Sequence, residues 1–180
     1  SPRSDKAELA ARFAQSGVVS VPDILSQEGA SALHAMLRER QDWKQVIGGG
    51  QTISELDRAT RAALSEEQLT ALDQAVYALA REGFTFRYET LRVSDDPTER
   101  ARSDDPLARF AAWWSSEPVL ALFREITGLA RIAFADAQAT AYSPGDFLTG
   151  HDDDVTGKNR LAAYVLNLTP KWRAEWGGLL

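Results

Sequence analysis

The pattern of apolar and polar positions predicts that the first part of the chain is mainly helical. Apolar residues recur at helical spacing over residues 5–15, 26–40, 65–81, 107–114 and 118–127. Ser65 and Gln68 form a capping-box signature at the start of the third segment, and Ser26 is a suitable N-cap for the second. We therefore expect helices at these five places.

A second pattern, alternation between apolar and polar residues, predicts strands. Phe84, Phe86 and Tyr88 alternate with polar residues, which indicates a strand over residues 84–93. Further strands are expected over residues 18–21, 131–142, 147–153 and 161–168, and from residue 178 onward. The charged segment 94–105 contains Pro97 and predicts a mobile surface loop.

Helices followed by strands indicate an α+β fold in one domain, residues 1–180. Residues 1–129 are expected to form a mainly helical support with a few strands, and residues 130–180 to supply core strands. The glycine run 48–50 lacks the Lys-Ser/Thr and the helix start of a phosphate loop, so a flexible turn between two extended segments is expected there.

Composition narrows the class of protein. The formal net charge of −6 argues against a general nucleic-acid binder, which would carry a basic patch. The sequence has no cysteine, which excludes disulfides and thiol nucleophiles and fits a reducing cytoplasm. No apolar run is long enough to predict a membrane-spanning helix.

His151 and Asp153 carry the clearest chemical signal. In an extended strand, side chains at positions i and i+2 lie on the same face, so an imidazole and a carboxylate converge there. Such a pair is two thirds of the 2-His-1-carboxylate triad that holds non-haem Fe(II). An acidic turn with a solvent-exposed histidine is the simpler alternative. The other histidine, His34, is expected on a helix surface.

The segment around this pair resembles the prolyl 4-hydroxylase-like 2-oxoglutarate/Fe(II) dioxygenases over about the last 40 residues. The resemblance rests on the order and spacing of several motifs: Tyr142-Ser-Pro-Gly145-Asp-Phe147-Leu148-Thr-Gly-His151-Asp-Asp153, then Arg160, Leu166-Asn167, and Trp176-Gly177-Gly178-Leu179. It implies a double-stranded β-helix, or jelly roll, with the N-terminal helices packed on it.

The resemblance also implies roles for five residues. His151 and Asp153 match the first two iron ligands, and Tyr142 matches a tyrosine that holds 2-oxoglutarate. Leu148 falls at a pocket-wall position. Tyr164 is the candidate for a second 2-oxoglutarate tyrosine, but it lies one residue earlier than in many relatives, and in a strand such a step reverses the face.

The implied activity is Fe(II)- and 2-oxoglutarate-dependent hydroxylation with release of succinate and CO2, and ascorbate as the reductant. A prolyl residue of a protein or peptide is the first substrate to expect, and small molecules remain open. Segment 95–105 is a candidate lid over the site. No oligomeric state is predicted. A non-catalytic jelly-roll module and a metallo-barrel that uses Mn or Ni are the alternatives.

One departure from the family pattern concerns the later motifs. The family's second histidine and its Arg or Lys partner for 2-oxoglutarate are absent from the 180 residues. Either the chain is a fragment of a longer enzyme or it is a degenerate member. The apolar stretch at the end favours the first interpretation, because a barrel without its last strands would be incomplete.

Overall fold

A computed structural model describes residues 3–49, 52–151 and 159–177. Seven helices are present among these residues: α1 Lys6–Ser16, α2 Gln27–Glu39, α3 Arg58–Ala62, α4 Glu66–Glu82, α5 Pro97–Arg102, α6 Pro106–Trp114 and α7 Glu117–Thr127. Five strands accompany them: β1 Lys44–Gly49, β2 Thr52–Asp57, β3 Thr85–Arg92, β4 Gln138–Ala141 and β5 Phe147–Leu148. A short 3-10 turn spans Ala174–Trp176.

The five helices expected from the sequence are confirmed, and their ends follow the capping residues. The Ser65 hydroxyl accepts a hydrogen bond from the amide of Gln68, whose side chain accepts one from the Ser65 amide. Gly17 and Gly128 end α1 and α7 in the left-handed conformation that glycine adopts at low cost.

The strands form one antiparallel sheet in the order β2-β1-β3-β4, and β5 also pairs with β3. In the β3–β4 register Glu89 lies opposite Ala141, and in the β3–β5 register Arg87 lies opposite Phe147. Because β1 occupies the other edge of β3, β4 and β5 follow one another along a single edge. They are therefore two parts of one interrupted strand.

The two faces of this sheet differ in an unexpected way. Helix α4 packs on the face that carries Arg87 and Glu89, and both of these side chains are buried. The opposite face carries Phe86 and Tyr88, which are only half-buried. Gly48 lies opposite Phe86 on this face, and a Cβ at residue 48 would come 2.2 Å from the Phe86 ring.

The apolar core consists of two clusters. Trp114, Val119, Leu120 and Ala135 form one between α6, α7 and the segment after α7. Trp43, Leu91 and Leu107 form the other, between the sheet and α6. Phe110 contacts both clusters, so α6 joins the helical part to the sheet.

Several sequence-based expectations are corrected. Residues 18–21 form no strand, and residues 131–137 belong to no strand either, so only Gln138–Ala141 of the 131–142 segment is a strand. Within the described residues 159–177, the expected strand over 161–168 is not formed. The expected strand from residue 178 lies outside the described residues. The structure is a mixed helix and antiparallel-sheet fold with an unclosed sheet, which is compatible with α+β.

The segment 94–105 is not a loop throughout, and the candidate lid within it, residues 95–105, packs against the helical part of the fold rather than over His151. It contains α5, whose Arg100 is buried and donates hydrogen bonds to the carbonyls of Ser94 and Ala135. It also follows the end of β3 opposite to Thr85. At about 3.3 Å per residue, an eight-residue strand places these ends roughly 23 Å apart.

Candidate functional site

The candidate site is built around a tight turn, residues 143–146, between β4 and β5. The Asp146 amide donates to the Ser143 carbonyl at 2.9 Å. Pro144 at the second position and Gly145 with φ +90° at the third are the features of a type II turn. The Asp146 carboxylate also accepts from the Ser143 amide at 2.8 Å. The Ser-Pro-Gly-Asp sequence therefore encodes the turn locally.

Strand β5 leads from this turn to His151. Phe147 stacks on Tyr77 of α4, with ring centroids 5.6 Å apart, and Leu148 lies opposite Phe86. The next residue, Thr149, donates its amide to the Thr85 carbonyl at 3.0 Å and accepts from the Thr85 amide at 2.9 Å. These bonds fix the backbone two residues before His151.

The geometry of His151 suits a metal ligand. Its Nδ1 lies 3.1 Å from the carbonyl oxygen of Thr149. A carbonyl only accepts hydrogen bonds, so the contact is a hydrogen bond in the tautomer that carries its proton on Nδ1, and in that tautomer Nε2 carries the lone pair. Metal-binding histidines are commonly oriented by such a bond from the other ring nitrogen. His151 therefore fits one donor position of an iron site.

Asp153, the other predicted ligand, lies outside the described residues. Within residues 3–49, 52–151 and 159–177, no group of three His, Asp or Glu side chains is placed to hold a metal. The described structure therefore contains one of the two expected ligands, His151, and the pairing of His151 with Asp153 stays a prediction.

An aromatic row connects His151 to Tyr142 along the half-buried face of β3. We use the term aromatic row for Phe84, Phe86 and Tyr88. The His151 ring lies 5.4 Å from Phe84, and successive centroids along the row are 5.6 and 5.4 Å apart. Tyr142 packs on the far end, 5.4 Å from Tyr88. The structure thus brings Tyr142, Leu148 and His151 to one side of the sheet, with Tyr142 and His151 at opposite ends of the row.

Tyr142 remains a neutral phenol at physiological pH. Its side chain is 53% exposed, and partial burial is the main cause that raises its pKa above the ordinary value of 10.0. Tyr88 and Asp146 act in the same direction. A protonated hydroxyl on a half-exposed surface is a suitable donor to a carboxylate ligand.

Tyr164 lies elsewhere. Its ring packs on Trp114 and Phe123, and its hydroxyl donates to the Asp136 carbonyl at 2.6 Å. Burial raises its pKa to about 12. The structure does not bring Tyr164 together with Tyr142 or His151, in agreement with its one-residue offset from the family position.

A cavity of about 580 Å³ adjoins Tyr164 rather than His151. It lies between the end of α7, residues 131–136 and residues 159–164. Its apolar walls include Phe123, Phe134 and Leu161. Neither His151 nor Tyr142 lines it. The cavity is therefore separate from the candidate metal position.

Arg87 is the site residue that sequence reasoning missed. Its guanidinium reaches the turn 143–146 from the buried face of β3, donating to the Gly145 carbonyl. The alternation over residues 84–89 was visible in the sequence, but hydropathy alone would bury the aromatic half. The sequence signal for Arg87 is an arginine within a predicted strand, together with a Pro-Gly-Asp turn elsewhere in the chain. Only the β3–β5 register shows that the two meet.

Comparison with known proteins supports one family for part of the chain. Residues 137–180 match the model of the 2OG-Fe(II) oxygenase superfamily. The match covers 44 of the 180 residues and supports the general superfamily rather than the prolyl 4-hydroxylase-like subfamily. No curated protein and no solved structure matches the chain. No helix of the described residues is long and apolar enough to cross a membrane.

Proposed function

We propose that the protein is an Fe(II)- and 2-oxoglutarate-dependent dioxygenase that hydroxylates its substrate. The observation that carries this proposal is the placement of His151. It follows β5 within the segment that matches the oxygenase superfamily, and its Nδ1 is held by a backbone carbonyl. That arrangement favours Nε2 as a metal donor.

In this proposal His151 and Asp153 hold the iron, and we call these two residues the iron half-site. When bound, Fe(II) and 2-oxoglutarate would supply the oxidation: one atom of O2 would enter the substrate as hydroxyl and the other the new carboxylate of succinate, as 2-oxoglutarate loses CO2. The protein contributes binding, orientation and exclusion of water.

Tyr142 and Leu148 would contact 2-oxoglutarate. The Tyr142 hydroxyl donates a hydrogen bond to a carboxylate, and Leu148 forms an apolar wall opposite Phe86. Tyr164 has no place in this proposed arrangement, because its ring packs on Trp114 and its hydroxyl is engaged by the Asp136 carbonyl.

The proposed substrate is a prolyl residue of a protein or peptide, and a small molecule is the second possibility. The aromatic row supports the first choice. It offers three successive rings, from Phe84 just before β3 to Tyr88 within it, a surface that suits an extended chain with an apolar ring better than a compact metabolite. The cysteine-free composition supports a cytoplasmic location.

The test of this proposal is succinate formation by the intact protein. Fe(II), 2-oxoglutarate, ascorbate and O2 are supplied with proline-containing peptides, and succinate and peptide mass are measured. Because the 180 residues lack the family's second histidine and its Arg or Lys, we expect little turnover from them alone. An enzyme with the complete ligand set should give succinate and a hydroxylated peptide, and its His151→Ala variant should give neither. A variant of the other histidine, His34→Gln, is the matched control and should retain activity.

Two results would contradict the proposal. Succinate formation that persists in His151→Ala would place the iron elsewhere. Binding of 2-oxoglutarate without any succinate would favour a non-catalytic jelly-roll module. Metal analysis of protein purified without oxygen distinguishes iron from Mn or Ni at the same ligands.

A further inference from the structure

We infer that Arg87 is a positioning residue: it clamps the turn 143–146 and thereby sets Tyr142 relative to His151. The inference rests on the proposed function. Arg87 is not expected to touch iron, 2-oxoglutarate or substrate, because it lies on the opposite face of β3 from the aromatic row.

The guanidinium of Arg87 contacts four groups that belong to two elements. From α4, the Asp73 carboxylate and the Tyr77 hydroxyl lie against Nη1 and Nη2, the latter at 3.3 Å. From the turn, the Gly145 carbonyl accepts from Nη2, and the Asp146 carboxylate lies 3.4 Å from Nε. One planar cation therefore joins the turn to α4.

The contact between Arg87 and Asp146 of the turn is buried, which makes it effective. The side chains of Arg87 and Asp146 are 7% and 2% exposed. Charges in such surroundings are weakly screened, and loss of one partner leaves the other uncompensated. Asp146 is also held by the Ser143 amide at 2.8 Å, so that the carboxylate braces the turn from inside.

Gly145 matches this arrangement. A Cβ at residue 145 would lie 3.0 Å from Nη2 of Arg87 and 3.4 Å from the Tyr77 hydroxyl. Its φ of +90° is also a conformation that other residues rarely adopt. Gly145 therefore leaves room for the Arg87 guanidinium beside the turn.

The register shows why the turn needs a clamp. Glu89 pairs with Ala141 and Arg87 pairs with Phe147, so residues 142–146 stand opposite the single residue Tyr88. Five residues that leave the ladder have few backbone bonds to β3. The Arg87 contacts replace those bonds, and they fix where Tyr142 stands relative to β5.

His151 has a separate anchor. The paired bonds between Thr149 and Thr85 hold the chain after β5 and do not involve Arg87. Loss of the clamp should therefore displace Tyr142 while His151 stays in place. The consequence is selective: affinity for 2-oxoglutarate falls, and affinity for the metal does not.

The test compares Arg87→Gln and Arg87→Lys with the wild type by calorimetry, using Mn(II) in place of Fe(II). For Arg87→Gln we expect the Kd for 2-oxoglutarate in the Mn(II)-loaded protein to rise about tenfold or more, with the Kd for Mn(II) changed by about twofold or less. Arg87→Lys should show a smaller rise, since an ammonium keeps the charge but cannot span all four groups. Amide hydrogen exchange should quicken at Asp146 and stay slow at Thr149.

Arg92→Gln is the matched control, because Arg92 is exposed at the other end of the same strand and outside the clamp. It should bind both ligands as the wild type does. If Arg87→Gln does not fold, the double variant Asp73→Asn/Tyr77→Phe tests the inference instead. It removes two contacts of the clamp from the more exposed α4 side. It should give the same selective loss of affinity for 2-oxoglutarate.

Three results would overturn the inference. The first is wild-type affinity for 2-oxoglutarate in a folded Arg87→Gln, or in the double variant used in its place. That result shows that the clamp does not position Tyr142. Parallel loss of both ligands together with a lower Tm shows a merely structural role. A wild type that binds Mn(II) but no 2-oxoglutarate overturns the proposed function as well, which distinguishes that failure from the first.

Discussion

At the residue scale, the sheet near the candidate site buries its polar half and leaves its aromatic half open. Arg87 is buried against Asp73 of α4 and Glu89 against Arg58 of α3, whereas Phe86 and Tyr88 are half-buried on the other face. Buried charges are tolerated when they are paired and hydrogen-bonded. The open aromatic face is then available to a ligand.

Gly48 makes the aromatic row possible, because the Phe86 ring lies directly over its Cα. The variant Gly48→Ala would insert a methyl group 2.2 Å from that ring. We expect a loss of about 1–3 kcal/mol in the free energy of unfolding, measured by urea denaturation, because overpacking forces the ring or the strand to move. Gly83→Ala is the control: a Cβ there meets nothing within 4 Å, and a change within about 0.5 kcal/mol is expected. Equal stability of both variants would contradict this account of residue 48.

The Arg58–Glu89 pair predicts a pH dependence of stability. The hydrogen bond from Arg58, opposed by burial, holds the pKa of Glu89 below its ordinary value of 4.5. The pair's contribution is therefore fully present above pH 4.5 and is lost as the pH falls through the lower folded-state pKa. We expect the free energy of unfolding of Glu89→Gln to fall less steeply below pH 4.5 than that of the wild type. The exposed Glu82→Gln should follow the wild-type curve, and identical acid limbs for all three proteins would argue against the pair's role.

At the scale of elements, α5 is an internal brace. Arg100 of this helix is buried and donates to the Ser115 hydroxyl at the end of α6 and to the Ala135 carbonyl beyond α7. Its guanidinium also lies over the Phe134 ring at 4.5 Å. The Arg100 side chain therefore joins α5, α6 and the segment 131–137 that leads to β4.

The brace predicts an asymmetry between two arginines of the same helix. Arg100→Ala should lower the free energy of unfolding by about 3 kcal/mol, because it removes hydrogen bonds from a charged donor and leaves buried carbonyls without them. Arg102→Ala, at an exposed position in the last turn, should change it by about 0.5 kcal/mol or less. Chemical denaturation of the two variants checks this, and similar values for both would refute the brace.

Local signals predicted some elements and not others. Ser65 and Gln68 determine the start of α4 by bonds within four residues, so the sequence alone sufficed. The same holds for α5 in retrospect: Asp96 caps the amides of Thr98 and Glu99, and Pro97 occupies the first helical position, where proline is favoured. Proline also favours loops, so Pro97 alone does not distinguish the two. Expected strands are missing from the described residues more often than expected helices, because a strand also needs a neighbouring strand to pair with.

At the scale of the whole molecule, the candidate site combines a local motif with long-range contacts. The turn 143–146 and the residues around His151 could be inferred from one stretch of sequence. The Arg87 clamp could not, because Arg87 lies 58 residues from Gly145 in the chain and meets it only through the sheet. The offset of Tyr164 suggested its separate location, which the packing on Trp114 supplies. The jelly roll and the division of the domain near residue 129 stay predictions.

The central claim is that His151 holds iron beside 2-oxoglutarate, and anaerobic absorption spectroscopy tests it most directly. Fe(II) and 2-oxoglutarate chelated together at one site give a visible charge-transfer band. We predict this band for the wild type only when both are added, its retention in His34→Gln and its loss in His151→Ala. A band that survives in His151→Ala, or its absence from the wild type with both added, would contradict the account.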